Sequence, residues 1–407
     1  MEGKIRRQKI YRVVMIVILT AVITFMVTTI VMYNKFNNLY ASDSNTSNST
    51  NTSNEYSLVQ TLQTFKTMIN QLYIGDIDEE SMLEGAIKGY VEGLGDPYTE
   101  YLTKEEMEEF TEETNSEYVG IGVYVGNDTV NNTILVVGVM KSSPAEEAGI
   151  QIGDVIEKID GVAYTGKQLD EATKVLKAEE GTTATLTIRR DNEEKELTVV
   201  RRKITVQHVA SEMLENNIAY IQIDSFDANV ASSFEEQITS LMNNGATGII
   251  IDLRNNGGGI VDEATGIADL FLDKGETILI TKSKKENNEE ETKSERDPIV
   301  KDIPVVILVN EATASASEIL AGALKDNYGA TIIGKQTYGK GVIQTLYTLT
   351  DGSGIKITTE EYYTPNHNQI NEVGITPDIE VDITENEDTQ LQRAIEVLLG
   401  TLSKNTQ

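Results

Sequence analysis

The chain has no cysteine and only two histidines, His208 and His367, in 407 residues. Without cysteine there can be no disulfide, no thiolate zinc site and no cysteine nucleophile. Neither histidine has a metal-ligand partner at helical or strand spacing, and no H-E-x-x-H occurs. His208 stands in a linker-like stretch and His367 in a Pro-Asn-His-Asn turn, so nothing supports a Ser-His-Asp arrangement. A Gly-x-Ser-x-Gly elbow is also missing around Ser315. Basic residues are scarce: 34 Lys and Arg stand against 65 Asp and Glu, a net charge of -31. Phosphate binding needs a basic footprint, which argues against nucleic acid as a partner. The acidity reads as a solvated surface. No metal and no other cofactor is expected.

Apolar content is 39% and charged content 24%, ordinary for a globular chain long enough for two or three domains. One uncharged run, Val13 to Tyr33, has the length to span a bilayer as a helix. Lys4, Arg6, Arg7, Lys9 and Arg12 precede it, which predicts a cytoplasmic N-terminus with the rest of the chain outside. The flank Asn34-Lys35-Phe36-Asn37 favours an uncleaved anchor; the alternative is a signal peptide cut near Ala41. Asn37 to Asn54 is almost entirely Asn, Ser and Thr and reads as a flexible tether.

From Ser57 to about Glu113 the pattern is helical, broken by Gly95-Asp96-Pro97-Tyr98, with a short helix expected over Lys104 to Thr114. From Tyr118 to about Lys203 the period switches to strands, among them Ile134 to Val139 and Ala184 to Arg189, around a short helix over Leu169 to Ala178. Strands and helices then alternate. Strands are expected at Ala219 to Ile223, Gly248 to Leu253, Ile278 to Thr281 and Pro304 to Val309, and helices at Ser232 to Met242, Asp262 to Leu272 and from Ser317. Such alternation predicts an α/β layer fold. Lys282 to Arg296 reads as an exposed loop or hairpin, and Thr389 to Leu402 as a closing helix.

Three segments carry candidate chemistry. Thr313-Ala314-Ser315-Ala316-Ser317-Glu318 is a hydroxyl-rich turn between a buried strand and a helix. Its plain role would be helix capping. Its chemical role would be a nucleophile at Ser315, with the N–H of Ala316 at a helix start, where free donors favour an oxyanion. Gly339-Lys340-Gly341 sets a lysine between glycines ahead of a strand-like run, Val342 to Leu346. It is either a surface turn or a general base kept neutral by burial. In an extended strand, positions four apart share a face, which would put Gln344 beside Lys340. Gly334 to Lys340 also has the spacing of a phosphate loop, but Gly341 stands where that motif needs Ser or Thr, and a strand rather than a helix follows. Asp252 to Gly259 ends a buried strand with three glycines, either a tight turn or the source of a second oxyanion donor. Ser315 and Lys340 together read as a serine–lysine dyad.

These residues resemble the carboxyl-terminal processing peptidases, or tail-specific proteases, over roughly Leu58 to Asp382. Gly95 to Thr99 looks like the family's early helical signature. Tyr118 to Val123 and Ser143 to Asp154 look like the peptide-binding loop and core of its PDZ domain. Asp252 to Gly259, Ala314 to Glu318 and Tyr338 to Gln344 match its protease motifs, and Gly374 to Asp378 its closing motif. The resemblance implies Ser315 as nucleophile, Lys340 as general base and Gln344 as the residue orienting it. It implies an oxyanion hole from the N–H groups of Ala316 and of Gly259 or Gly258. It also implies a PDZ loop, Gly120, Ile121, Gly122 and Val123, that binds a substrate's C-terminal carboxylate. Family members often carry an arginine after the second PDZ helix; here Lys177 follows Leu176, keeping the charge without the planar fork.

The expected fold is α/β, a crotonase-like protease core with an inserted PDZ domain, a helical N-terminal region and one transmembrane helix. The segments are a cytoplasmic tail at 1–12, the anchor at 13–33, a linker at 34–56, a helical region at 57–116, the PDZ domain at 117–203, the protease core at 204–383 and a C-terminal helix at 384–407. The expected function is a bacterial, membrane-tethered, extracytoplasmic serine endopeptidase acting on protein tails, with homodimerisation implied by the resemblance. The alternative is a non-catalytic PDZ adaptor that holds peptide C-termini.

Overall fold

The computed structural model describes residues 52–284, 289–384 and 387–405. The expected tail, anchor and most of the linker lie outside these residues. Among the described residues no helix is long and apolar enough to cross a membrane.

The chain divides into two compact units, residues 1–80 and 81–407. In the first, helix α1 covers Thr52–Leu72, so helix already begins inside the segment expected to be a tether. Leu58, Leu62, Phe65, Met68 and Leu72 are exposed along it. Helix α2, Glu79–Glu92, follows a break at 73–78 that the apolar period did not show, and from Ser81 on it belongs to the second unit.

The second unit holds the rest. Strand β1 (Glu100–Leu102) leads into helix α3, Lys104–Thr114, whose start is fixed by a capping box between Thr103 and Glu106. Strand β2 (Glu117–Gly120) then pairs with β9 (Arg202–Thr205), drawing together the two ends of the small module. Inside it, β3 (Val123–Asp128), β4 (Thr133–Val139), β5 (Val155–Ile159), β7 (Thr183–Arg190) and β8 (Glu193–Val200) form one sheet in that order, with the two-residue β6 (Val162–Ala163) beside β5. The short helices α4 (Pro144–Glu147) and α5 (Leu169–Leu176) pack on it over Ile134, Val136, Ile156, Leu186 and Ile188.

The core sheet runs β10 (Val209–Leu214), β11 (Ile218–Ile223), β12 (Gly248–Asp252), β15 (Val305–Val309), β16 (Thr331–Gly334) and β19 (Ile379–Glu380). All pairs are parallel except β10 with β11. A parallel sheet is covered on both faces, which is why β12 reads as an unbroken apolar run. Ile249 and Ile251 face a core shared with helices α6 (Val230–Asn243), α7 (Val261–Ala268) and α8 (Ala316–Ala323). Ile250 faces the other way, toward Ala394 and Leu398 of helix α9 (Thr389–Asn405). A second sheet holds β1, β18 (Gly354–Tyr363), β13 (Thr277–Ser283) and β14 (Glu289–Lys293), with β17 (Val342–Thr348) also paired to β18. The charged stretch after Lys282 is therefore the second arm of a hairpin, β13 with β14.

Candidate active site

Ser315 is the residue before α8, with φ 56° and ψ -120°. A non-glycine residue in such a conformation costs on the order of 1–3 kcal/mol and persists only where its surroundings dictate it. Its neighbours' hydroxyls are used internally: Thr313 Oγ1 donates to the carbonyl of Leu253 and Ser317 Oγ to that of Asn256. Ser315 and Glu318 form a capping box at the start of α8, and Ser315, 8% exposed, borders a cavity of about 910 Å³. Capping alone would not require the strained backbone or the place on the cavity.

Lys340 and Gln344 line the same cavity. Lys340 lies ahead of β17 in irregular backbone, and the β17–β18 register shifts between Ile343 and Gln344, so the two-residue strand period cannot be counted from the lysine. The Lys340 Nζ stands 4.8 Å from the centre of the Tyr98 ring. Burial pushes its amine below the usual lysine value, the like charge of Lys356 adds to this, and Asp96 and Glu318 oppose it. Gln344 Nε2 donates to Thr358 Oγ1 at 3.2 Å, the Thr358 N–H donates to Thr99 Oγ1, and Thr99 Oγ1 donates to Asp96. The Gly95–Thr99 turn thus reaches the site through both Tyr98 and Thr99. Among the described residues no hydrogen bond joins Ser315 Oγ to Lys340 Nζ, or Gln344 to Lys340.

Glycines 257 and 259 border the cavity. The N–H of Gly258 donates to Asn256 Oδ1 at 2.8 Å, which occupies one of the two glycine donors considered for an oxyanion. Gly259 pairs with Phe226 as an isolated bridge. The backbone of Gly258 lies tight against the serine turn: a Cβ there would stand 2.7 Å from Ser315 Cβ and 2.9 Å from the Ala316 nitrogen. Ala316 is the first residue of α8, where the N–H has no partner within the helix.

The phosphate-loop reading fails on geometry. The N–H groups of Gly339 and Lys340, which such a loop would turn to a phosphate, donate instead to the Glu318 carboxylate. His208 also borders the cavity, but its Nδ1 sits 2.7 Å from Asp224 and its Nε2 3.2 Å from Asp227, so neither nitrogen is free to serve Ser315. His367 is exposed beside Glu289 and not part of the cavity.

In the small module, Gly122 has φ +82°, and a Cβ there would meet Ser143 Cβ at 2.3 Å, so only glycine fits the loop. The side chain of Ile121 is buried in the module's core. Carbonyls of Ile121 and Gly122 accept from Ala145 and Met140, while their N–H groups take no partner among the described hydrogen bonds. Lys177, with its Nζ 5.2 Å from the Tyr118 ring centre, borders the large cavity together with that tyrosine. The module and the serine turn therefore share one space.

Glu318, Tyr362, Tyr98 and Lys356 all contribute to the site without a role assigned from sequence. For Glu318 a signal was available: it is the one charged residue in the otherwise apolar and small helix Ala316–Ala323.

The description "Peptidase family S41" matches residues 217–381, "PDZ domain" residues 135–190, and "Activating protease CtpB N-terminal domain" residues 17–106. The chain is 38% identical over 317 residues to the "Probable CtpA-like serine protease" of Staphylococcus haemolyticus, covering 78% of this chain and 63% of that one. It is 39% identical over 315 residues to the protein of the same description in Staphylococcus aureus, covering 77% and 63%. The chain thus spans less than two thirds of the length of these relatives. A Bacteroides fragilis structure described as an S41 protease matches its fold with a TM-score of 0.53 at 19% identity, over 81% of this chain and 93% of that one.

Proposed function

We propose that the chain, whose residues 217–381 match peptidase family S41 and whose residues 135–190 match a PDZ domain, is a serine endopeptidase that engages proteins by their C-terminal tails and cuts near them. The observation that carries this is the Ser315 hydroxyl and the half-buried Lys340 amine on one cavity.

In this reading neutral Lys340 takes the proton from Ser315 Oγ as that oxygen attacks the scissile carbonyl carbon. The developing oxyanion is met by the N–H of Ala316 and that of Gly259, since the Gly258 N–H already serves Asn256. The lysine ammonium then returns its proton to the leaving amine, and water hydrolyses the ester by the same route in reverse. Gln344, which lines the same cavity, is assigned the orienting of the amine once substrate is bound. Tyr98 keeps bulk water from Lys340; its own hydroxyl is pushed up to about 12, chiefly by burial, so it stays neutral and does not compete as a base. The free N–H groups of Ile121 and Gly122 suit a terminal carboxylate, and Lys177 stands where the PDZ domain meets the cavity.

We also propose that residues 13–33 anchor the chain in a bacterial cell membrane with the catalytic part outside, on the strength of that uncharged run and the basic residues before it. Homodimerisation is proposed through the exposed apolar side chains of α1.

The test is cleavage of an unstructured protein by the full-length chain in detergent. Fragments are expected from the parent and none from Ser315→Ala or Lys340→Ala. Undiminished cleavage by Ser315→Ala refutes the proposal. Tight binding of tail peptides without cleavage by the parent points to the adaptor instead.

A further inference from the structure

Two buried side chains touch the main chain of both Ser315 and Lys340. Glu318 is fully buried, and four donors converge on its carboxylate. Oε2 accepts the N–H of Ser315 at 2.9 Å and that of Lys340 at 3.0 Å. Oε1 accepts the hydroxyl of Thr337 at 2.6 Å and the N–H of Gly339 at 2.7 Å. Thr337 Oγ1 in turn accepts the N–H of Ile375, which brings the closing segment into the same network. Burial raises the pKa of this carboxyl, while the hydrogen bonds from Thr337, Gly339, Ser315 and Lys340 favour its charged form and oppose that shift.

Tyr362, 1% exposed, does the same for the carbonyls. Its hydroxyl lies 3.0 Å from the carbonyl oxygen of Ser315 and 2.5 Å from that of Lys340. Its own N–H donates to the carbonyl of Gly341, so the residue is bound to this segment at both ends. The amide hydrogens of nucleophile and base thus meet at one atom of Glu318, and their carbonyls at one atom of Tyr362.

We infer that Glu318 and Tyr362 are positioning residues that hold the main chains of Ser315 and Lys340 at a fixed separation and keep Ser315 in its strained conformation. This rests on the serine–lysine reading above. A side chain that reacts across a cavity is aimed by its backbone, and a misplacement of about 1 Å can cost on the order of 10²-fold in rate. The serine comes from the turn that opens helix α8 and the lysine from the segment before β17. These two atoms join the helix layer to the sheet layer at the two residues that must cooperate.

The experiment uses the full-length protein and compares Tyr362→Phe and Glu318→Gln with the parent, reading kcat and KM on a tail-bearing substrate beside thermal unfolding. Tyr362→Phe keeps the ring and removes only the hydroxyl. It is expected to lower kcat by roughly 10²-fold with KM within about twofold and the fold intact. In Glu318→Gln an amide donor must face N–H donors on one side, so it is expected to lose at least as much kcat and to melt earlier as well. Tyr362→Phe with kcat within about twofold of the parent, while Ser315→Ala is inactive, overturns the positioning role and leaves the dyad standing. A loss confined to KM or to the melting temperature overturns it equally. Cleavage that survives Ser315→Ala removes the dyad, and this inference with it.

Discussion

The Nζ of Lys340 lies over the face of the Tyr98 ring, 4.8 Å from its centre. Tyr98 comes from the turn after α2, outside the matched S41 region, yet it covers the amine on which the proposed chemistry depends. A long, flexible lysine is confined here by an aromatic plane on one side and, through its main chain, by Glu318 and Tyr362 on the other.

Lys340→Arg tests whether a removable proton matters rather than a charge. Arginine keeps the cation and its stacking on Tyr98 but does not deprotonate at working pH. Loss of a general base is expected to lower kcat by about 10²–10⁴-fold with the tail-binding affinity unchanged. Stopped cleavage assays and peptide anisotropy on the same preparation check it; comparable rates for Arg and Lys would rule the lysine out as base.

Activity is expected to rise with pH as Lys340 loses its proton. Burial and, second, Lys356 hold the amine below the ordinary 10.5. Between that lowered value and 10.5 the folded chain binds fewer protons at this site than the unfolded chain, so this group's contribution to stability grows as pH climbs through the window. Lys356→Ala removes the second cause, so the acid limb of kcat should move to higher pH. A pH–rate profile that does not move in this variant would show that Lys356 has no part in tuning the base.

Gly258→Ala places a methyl 2.7 Å from Ser315 Cβ at a residue with φ +103°. Something in the serine turn must shift, at a cost of about 1–3 kcal/mol. Thermal unfolding should show the loss, and cleavage should fall more steeply than the folded fraction, because the displaced atoms include the nucleophile and the Ala316 nitrogen.

Gly122→Ala tests tail recognition separately. The new methyl would sit 2.3 Å from Ser143 Cβ, forcing the loop that holds the N–H groups of Ile121 and Gly122. A labelled peptide with a free C-terminus should bind the parent at least tenfold more tightly than its amidated form, and the variant should lose that difference. Equal binding of free and amidated peptides by the parent would remove carboxylate capture from the mechanism.

The layers of the fold were legible in the sequence, because apolar period and capping are local. Lys104–Thr114 is the helix expected, fixed by the Thr103 and Glu106 capping box within four residues. The buried strands at β12 and β15 announce themselves as runs of Ile and Val. Strand β18 was missed: Lys356, Thr358, Glu360 and Glu361 give it the look of a polar loop, although it pairs with β1, β13 and β17. Its neighbours satisfy the backbone, so its side chains need not be apolar. The nucleophile and base stood out through their small-residue and glycine settings. Tyr362 did not, because its partners Lys340 and Ser315 lie 22 and 47 positions away and no local period encodes such contacts; Glu318 was marked only as the lone charge of its helix.

Strand β18 contributes Lys356 beside the base, Thr358 to Gln344 and Tyr362 to both Ser315 and Lys340. A slip of one residue turns every side chain of a strand to its opposite face. Were this ribbon to slide past β17, the electrostatic neighbour, the glutamine's anchor and the shared hydroxyl would leave together. Competence at this centre is then a matter of registry, and the β17–β18 pairing carries its one irregularity, between Ile343 and Gln344, at the glutamine itself.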